Sequence, residues 1–233
     1  RYFNMSEIHF TSLVKYKKQL INSGVKKSKI FNVGEIGLSY LDRAKYIGKR
    51  ELEKSINFNL KKYNFLFTYH PNTKNFNKNL IELKIILKSL NFFKDVGFIF
   101  TYSNSDSGNQ LVNSQISKYV KKKDNCMILK YLGDMSYRSL LKYVTGVIGN
   151  SSSGIWEVPS FNIPTLNLGE RQTGRFKPKS VIDCKINEKI IKNKIKLMMK
   201  ISSKNKKLPN PYYKKNTVDK INKVITHLFK SNI

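Results

Sequence analysis

The chain alternates short apolar runs with longer segments in which apolar residues recur at helical spacing. The apolar runs predict strands at residues 8–10, 29–34, 63–69, 96–100, 126–129, 144–148, 164–169 and 180–184. The periodic segments predict helices at residues 13–21, 79–90, 111–120, 136–143, 155–158, 186–199 and 218–229. Because strands that alternate with helices are typical of a parallel sheet covered on both faces, the pattern predicts an α/β fold with a Rossmann-like parallel sheet.

The same pattern divides the chain into parts. Residues 42–62 are charged and helix-prone and are predicted to cross between two domains. We expect the end of a first domain and this crossing at residues 1–50 and a second domain, with most of the sheet, at residues 51–205. A turn and a final helix follow at residues 206–233.

Residues 149–157 read Gly-Asn-Ser-Ser-Ser-Gly-Ile-Trp-Glu and lie between a predicted strand and a predicted helix. The first N–H groups of a helix lack partners and the helix dipole is positive there, so this turn predicts an anion site. Ser151, Ser152 and Ser153 add hydroxyl donors, and Gly154 would let a ligand approach the backbone.

Glu157 lies about one turn into the predicted helix, where it would accept hydrogen bonds from the hydroxyls of a ribose. The alternative is an ordinary serine N-cap followed by a helix. The glycine-rich phosphate-binding fingerprints are absent from the chain, so the residues alone leave both interpretations open.

Polar residues follow several of the predicted strands. They are His70, residues 103–109, residues 151–154 and residues 170–175. Because ligands bind parallel sheets at the carboxyl ends of their strands, these residues are predicted to share one rim. His70 precedes Pro71, so a purely structural role in a turn is the alternative for this histidine.

Residues 149–175, GNSSSGIWEVPSFNIPTLNLGERQTGR, resemble the nucleotide-binding core of the hydrolysing UDP-N-acetylglucosamine 2-epimerases. The Asn-Pro-Tyr run at residues 210–212 is similar to a stretch before the last helix of that family. The resemblance covers the family's C-terminal domain almost completely and only the end of its N-terminal domain. It implies a GT-B fold, with two Rossmann-like domains around a nucleotide sugar and a last helix that packs back across the boundary.

The resemblance also implies roles for particular residues. Ser151 and Ser152, with the adjoining Ser153 and Gly154, would bind the diphosphate of a UDP-sugar. Glu157 would hold the ribose hydroxyls. His70 would lie near the diphosphate and assist the departure of UDP. Arg171 would bring positive charge to the cleft, although Arg175 is chemically equivalent.

The implied reaction removes the proton from C2 of the sugar while UDP leaves C1, and gives a glycal intermediate. Its products would be UDP and N-acetylmannosamine, or a diacetamido sugar on the way to legionaminic acid. In the family the acid and base carboxylates come from the N-terminal domain. Glu7, Glu35 and Asp42 do not lie in matching motifs, so we expect this chain alone to turn over its substrate poorly.

Composition changes this picture only slightly. The net charge is +29, but the lysines are spread along the chain and accompanied by many asparagines, as AT-rich coding sequence produces. The start of the chain has neither an initiator methionine nor a signal pattern, so we expect a fragment. Cys126 and Cys184 are far apart and suggest reduced thiols of a cytoplasmic protein without metal or cofactor. For the full-length protein we expect a homodimer or homotetramer.

Three other functions remain as alternatives. A non-hydrolysing epimerase usually has Ser-Gly-Gly in the phosphate run and Arg-Arg after its histidine, unlike Ser151 to Ser153 and Pro71 here. An inactive nucleotide-sugar-binding module would fit a chain without the N-terminal carboxylates. Nucleic-acid binding rests on charge alone, and we expect neither this partner nor a membrane.

Overall fold

The computed structural model describes residues 5–72, 76–104, 107–202 and 209–231 of the 233-residue chain. The chain forms two compact units, a smaller unit of Arg1–Ala44 with Asn210–Ile233 and a larger unit of Lys45–Pro209. Residues 45–50, which we expected in the first domain, lie in the larger unit. There the N–H of Ile47 donates to Ser139 Oγ and its carbonyl accepts from the hydroxyl of Tyr143. The domain boundaries of the whole protein stay a prediction.

The smaller unit contains two short parallel strands and two helices. They are β1 (His9–Thr11), α1 (Val14–Asn22), β2 (Ile30–Asn32) and α8 (Thr217–Ser231). Phe10 lies opposite Phe31 across the two strands. A 3-10 turn at Ile36–Asp42 packs against α8, and Thr217 Oγ1 donates to the carbonyl of Val33.

The larger unit contains a six-stranded sheet in which every neighbouring pair of strands is parallel. Its strands are β3 (Tyr63–Thr68), β4 (Val96–Thr101), β5 (Cys126–Leu129), β6 (Gly146–Gly149), β7 (Thr165–Leu168) and β8 (Val181–Cys184). Its helices are α2 (Lys49–Ile56), α3 (Phe76–Leu90), α4 (Asn109–Val120), α5 (Asp134–Leu141), α6 (Ser153–Trp156) and α7 (Glu188–Ser202). The predicted Rossmann-like parallel sheet is confirmed.

The sheet is buried on both faces. Phe65 and Phe67 of β3 pack in the apolar cluster that includes residues of α3, α4 and α7. Leu66 points to the other face and packs in a second cluster with residues of α2 and α5. Double burial explains why β3 has an uninterrupted apolar run instead of an alternating one.

The order of the strands is β5-β4-β3-β6-β7-β8. The chain therefore builds outward from β3 to β4 and β5, and then returns to place β6 on the opposite side of β3. The connections after β3 and β6 consequently leave the sheet in opposite directions. Such a switch point opens a crevice at the carboxyl ends of the strands, where ligands of open parallel sheets bind.

The helix predicted at residues 155–158 begins two residues earlier, at Ser153. Helix α6 is a single turn, and a 3-10 turn follows at Val158–Phe161 with Pro159 near its start. Proline has no N–H and its ring clashes with the carbonyl of the residue four positions earlier, so the α-helix ends here. A one-turn helix has little macrodipole, and the predicted anion site must therefore rest on individual hydrogen-bond donors.

No helix among the described residues is both long enough and apolar enough to cross a lipid bilayer. Both cysteines are buried, and burial raises the pKa of the Cys126 thiol to about 12 and that of Cys184 to about 11. Within the described parts of the chain, no three His, Cys, Asp or Glu residues are grouped so that they could hold a metal ion.

Phe67 is fully buried and packs on Phe100 with their ring centroids 4.8 Å apart. We expect Phe67→Ala to lower the free energy of unfolding by about 3–5 kcal/mol, because it removes a buried ring and leaves a cavity. Phe92, which is 55% exposed and faces Lys196, is the matched control. Phe92→Ala should lower the free energy of unfolding by less than about 1 kcal/mol. Urea denaturation followed by circular dichroism measures both, and equal losses would contradict this account of the core.

Candidate functional site

A cavity of about 370 Å³ lies at the carboxyl ends of four neighbouring strands, β5, β4, β3 and β6. We call it the His70 cavity. It is lined by Thr68, His70, Thr101, Leu129, Lys130, Tyr131, Leu132, Gly133, Asp134, Tyr137, Arg138, Ser151, Ser153 and Glu157. Four of the predicted site residues therefore meet here, although they follow different strands. Ser152, Gly154 and Arg171 do not line this cavity.

The serine turn presents several donors to the cavity. Ser151 Oγ and Ser153 Oγ lie 3.1 Å apart and share a hydrogen bond. Among the residues that the structure describes, the backbone N–H groups of Ser151, Ser152 and Ser153 have no protein acceptor. Three consecutive N–H groups and two hydroxyls at the mouth of a crevice favour an anion, because each brings partial positive charge.

Tyr137, from α5, extends this group of hydroxyls into the protein. Its hydroxyl donates to Ser153 Oγ at 3.2 Å. Burial raises the pKa of the Tyr137 hydroxyl well above its usual value, and the nearby Glu157 carboxylate raises it further. Tyr137 therefore stays protonated and donates to Ser153, while either serine can be the donor in the bond between Ser151 and Ser153. The three hydroxyls form one hydrogen-bonded chain that ends in the cavity.

Glu157 is only 8% exposed and lines the same cavity, immediately after α6. Its backbone N–H donates to the carbonyl of Ser153, which fixes its distance from the serine turn. A buried carboxylate at this position can accept hydrogen bonds from neutral hydroxyls of a ligand. Its role toward a ribose stays a prediction.

The ring of His70 is oriented by the loop after β4. The backbone N–H of Asn104 donates to His70 Nδ1 at 3.1 Å, and Ser103 Oγ lies 3.5 Å from the same nitrogen. Because Nδ1 accepts a hydrogen bond, the proton of the neutral imidazole is on Nε2. The predicted rim segment 103–109 thus reaches His70 through its first two residues, whereas Ser105 and Asp106 lie outside the described residues.

Arg171 does not contact the His70 cavity. Its guanidinium donates to the carbonyl of Asn150 at 3.2 Å and lines a second cavity of about 540 Å³. This Lys177 cavity lies at the carboxyl ends of β7 and β8 and includes Lys78, Lys177 and Asp183. Arg175 is exposed. The structure thus distinguishes two arginines that the sequence left equivalent, and it gives Arg171 a partner in the protein.

Gly154 is also required for packing within the protein. The residue is buried, and a Cβ atom here would lie 2.7 Å from Thr165 Cγ2 on β7. Its carbonyl accepts a hydrogen bond from Thr165 Oγ1. The glycine therefore lets α6 pack closely on the sheet, and its predicted role toward a ligand stays a prediction.

The sequence analysis missed the loop between β5 and α5. Residues 130–134 line the His70 cavity, and Gly133 has a positive φ of 72° that suits glycine. This loop follows the predicted strand at 126–129, so the rule that placed the other residues on the rim applied to it as well. Tyr137 had no such signal, because a tyrosine within a helical pattern is usually a core residue.

Asp42, a carboxylate of the smaller unit, has partners that give it a structural role. Asp42 accepts hydrogen bonds from the hydroxyl of Tyr213 at 2.8 Å and from the backbone N–H of Asn216 at 3.0 Å. The bond from Tyr213 holds the pKa of Asp42 below its usual value. Asp42 therefore stabilises the turn before α8 and is a weak base.

Comparison with known proteins identifies the relatives of this chain. Residues 3–226 match the model of the family described as UDP-N-acetylglucosamine 2-epimerase. The chain is 37% identical over 185 residues to a GDP/UDP-N,N'-diacetylbacillosamine 2-epimerase (hydrolyzing) from Campylobacter jejuni, covering 79% of the chain and 48% of that protein. It is 34% identical over 230 residues to polysialic acid biosynthesis protein P7 from Escherichia coli, covering 97% of the chain and 58% of that protein. The chain thus spans about half the length of these curated relatives.

A solved structure of S. aureus MnaA with UDP resembles the chain with a TM-score of 0.76 and 16% sequence identity. The likeness covers 98% of this chain and 61% of that chain. It shows the fold, and the predicted α/β fold of the GT-B type is confirmed. Because the family model matches nearly the whole length, this chain belongs to the UDP-N-acetylglucosamine 2-epimerase family.

Proposed function

We propose that this chain forms the nucleotide-binding and leaving-group side of a hydrolysing UDP-sugar 2-epimerase. One observation carries the proposal: Ser151, Ser153, His70 and Glu157 line a single cavity at the switch point of the sheet. The Campylobacter jejuni relative, whose name specifies a hydrolysing 2-epimerase, supports the reaction type. The His70-Pro71 and Ser-Ser-Ser-Gly runs also favour this reaction over the non-hydrolysing one.

The diphosphate is proposed to bind against the serine turn and His70. When UDP leaves C1 of the sugar, negative charge grows on the oxygen that bridged the two. The hydroxyls of Ser151 and Ser153 and the Nε2–H of His70 are donors that can stabilise this charge without reorganising. Tyr137 holds Ser153 and Asn104 holds the ring of His70, each by a hydrogen bond.

The nucleoside is proposed to extend from the diphosphate along the rest of the cavity. Glu157 would accept hydrogen bonds from the ribose hydroxyls. The loop at residues 130–133 then lies where the uracil of UDP would be, and its backbone groups can recognise the edge of that nucleobase. Tyr131, which is 86% exposed, offers an aromatic surface at the rim.

The reaction also requires a base for the proton at C2. That proton passes to the base, the C1–O electron pair leaves with UDP, and a C1–C2 double bond forms. Water then returns a hydroxyl to C1 and a proton to C2 from the opposite face. Asp134 is a poor candidate, because it is exposed and paired with Arg138. We propose that the base lies in a part of the protein outside this chain, since the chain spans only about half of its relatives.

We propose two candidate substrates, UDP-N-acetylglucosamine and a UDP-diacetamido sugar. The name of the Campylobacter jejuni relative favours the second, which would lead toward a legionaminic acid. The name of the Escherichia coli relative favours a sialic acid product. The cytoplasmic location and the dimer or tetramer stay predictions.

The reaction type is tested with each UDP-sugar in D₂O. A hydrolysing epimerase releases UDP and a free sugar that carries deuterium at C2. Mass spectrometry and NMR detect both products. We expect the 233-residue chain alone to give this product slowly or not at all, because no base has been found in it. Rapid turnover by the chain would contradict that expectation, and a deuterated UDP-sugar as the product would show the non-hydrolysing reaction instead.

Glu157→Gln is expected to weaken UDP binding by about tenfold or more, the loss of one hydrogen bond to a charged group. Inorganic diphosphate has no ribose, so its affinity should not change. Asp134→Asn is the matched control, because Asp134 lines the same cavity but its side chain is 82% exposed. Isothermal titration calorimetry measures each affinity. Equal losses for both ligands would remove Glu157 from the ribose role.

Tyr137→Phe is expected to lower the affinity for inorganic diphosphate by about fivefold, which corresponds to roughly 1 kcal/mol for one hydrogen bond. The variant removes the hydroxyl that donates to Ser153 Oγ. Tyr143→Phe is the control, because its hydroxyl donates to the carbonyl of Ile47, outside the cavity. Similar diphosphate affinities for the two variants would mean that the hydroxyl chain does not contribute to binding.

A further inference from the structure

Three asparagines of the larger unit hold a stretch of backbone by the same pair of hydrogen bonds. In each, the side-chain oxygen accepts from an N–H and the side-chain nitrogen donates to the carbonyl of the same residue. The pairs are Asn64 with Lys61, Asn79 with Asn72, and Asn150 with His70. Only the last of these pairs involves a residue of the His70 cavity.

The contact between Asn150 and His70 is short and shielded from water. The His70 N–H donates to Asn150 Oδ1 at 2.7 Å, and Asn150 Nδ2 donates to the His70 carbonyl at 2.8 Å. Asn150 is 4% exposed. Both backbone groups of His70 are thus bonded to one side chain, which constrains the Cα atom that carries the imidazole.

Asn150 is itself fixed by the end of β3 and by the loop after β7. Its N–H donates to the carbonyl of Thr68 at the end of β3. Its carbonyl accepts from Gln172 Nε2 at 2.8 Å as well as from Arg171. Gln172 is 2% exposed and belongs to the loop after β7. Asn150 therefore joins the ends of β3, β6 and β7.

The chemistry of the contact requires an asparagine. The side chain must accept from one backbone group and donate to another, and both groups are on one residue. Aspartate has the same shape but no donor, so it would place a negative oxygen against the His70 carbonyl. Alanine would leave both backbone groups without this partner.

The ring of His70 depends on the position of its backbone. Nδ1 accepts from Asn104 at 3.1 Å, which selects the tautomer with the proton on Nε2. If the backbone of His70 shifts, this contact lengthens and the choice of tautomer is lost, because a hydrogen bond weakens quickly with distance and angle.

We propose that Asn150 is a positioning residue for His70, which holds the imidazole in the orientation and tautomer that point Nε2–H into the cavity. The loop after β7 supports it through Gln172. The contact of that N–H with a diphosphate rests on the function proposed above. The orientation of the ring does not, so the two can be tested separately.

The first test observes the ring directly. The chain contains three histidines, so its imidazole ¹⁵N signals can be assigned by comparison with His70→Ala. At about pH 8, where an ordinary imidazole is neutral, the native chain should show one protonated and one unprotonated nitrogen for His70. In Asn150→Ala the two signals should move toward each other as the tautomers mix. Asn64→Ala is the matched control, because Asn64 is 2% exposed and makes the same pair of bonds at the opposite end of β3.

The second test measures UDP binding by calorimetry. Asn150→Ala and His70→Ala should each lower the affinity for UDP by about tenfold, and Asn64→Ala should lower it by less than about twofold. If Asn150 acts through His70, the double variant should bind UDP about as weakly as His70→Ala alone. A further tenfold loss in the double variant would overturn the proposal, because Asn150 would then act independently.

The outcomes separate this inference from the proposed function. Unchanged His70 signals in Asn150→Ala, or the same change in Asn64→Ala, would overturn the positioning role. Changed signals in a chain that does not bind UDP would support the positioning role and contradict the proposed function. If Asn150→Ala does not fold, Asn150→Asp keeps the acceptor and the volume, and Asn64→Asp is its control.

Discussion

The close approach of β6 to β3 at the switch point is the constraint on which the rest of the site depends. Thr68 is paired with Gly149, whose φ is 148°. A Cβ atom at Gly149 would lie 1.8 Å from the carbonyl oxygen of Thr68, so no other residue fits without separating the strands. That same carbonyl accepts the N–H of Asn150. A glycine that lets two strands end side by side thus places the asparagine that holds His70.

The donors of the site are individually oriented and do not depend on a helix. Helix α6 has four residues, too few to supply a substantial dipole. Instead, Tyr137 donates to Ser153, which shares a hydrogen bond with Ser151, and Asn104 donates to His70 Nδ1. The serine hydroxyls are thus held from α5 and the His70 ring from the loop after β4. An anion that enters the cavity would meet groups already aimed at it, which is the arrangement that stabilises charge developing in a transition state.

Periodicity predicted the sheet well, because β3 and β4 are buried on both faces and their apolar runs are unbroken. The rule that ligands bind at the carboxyl ends of strands also brought His70 and the serine turn to one cavity. The short helix after the serine turn was predicted two residues too late, at residues 155–158 instead of Ser153–Trp156. The sequence did not single out Asn150 and Tyr137, because their contacts with His70 and Ser153 join residues that are distant in sequence. Arg171 and Arg175 were equivalent until their contacts were known.

The structure of this chain with bound UDP tests the central claim most directly. The account predicts a diphosphate in the His70 cavity, with its oxygens within about 3.2 Å of the Ser151 hydroxyl or N–H and of His70 Nε2. It also predicts that the ribose contacts Glu157 and that the uracil lies at residues 130–133. A diphosphate in the Lys177 cavity, held by Lys78 and Lys177 instead, would contradict the account.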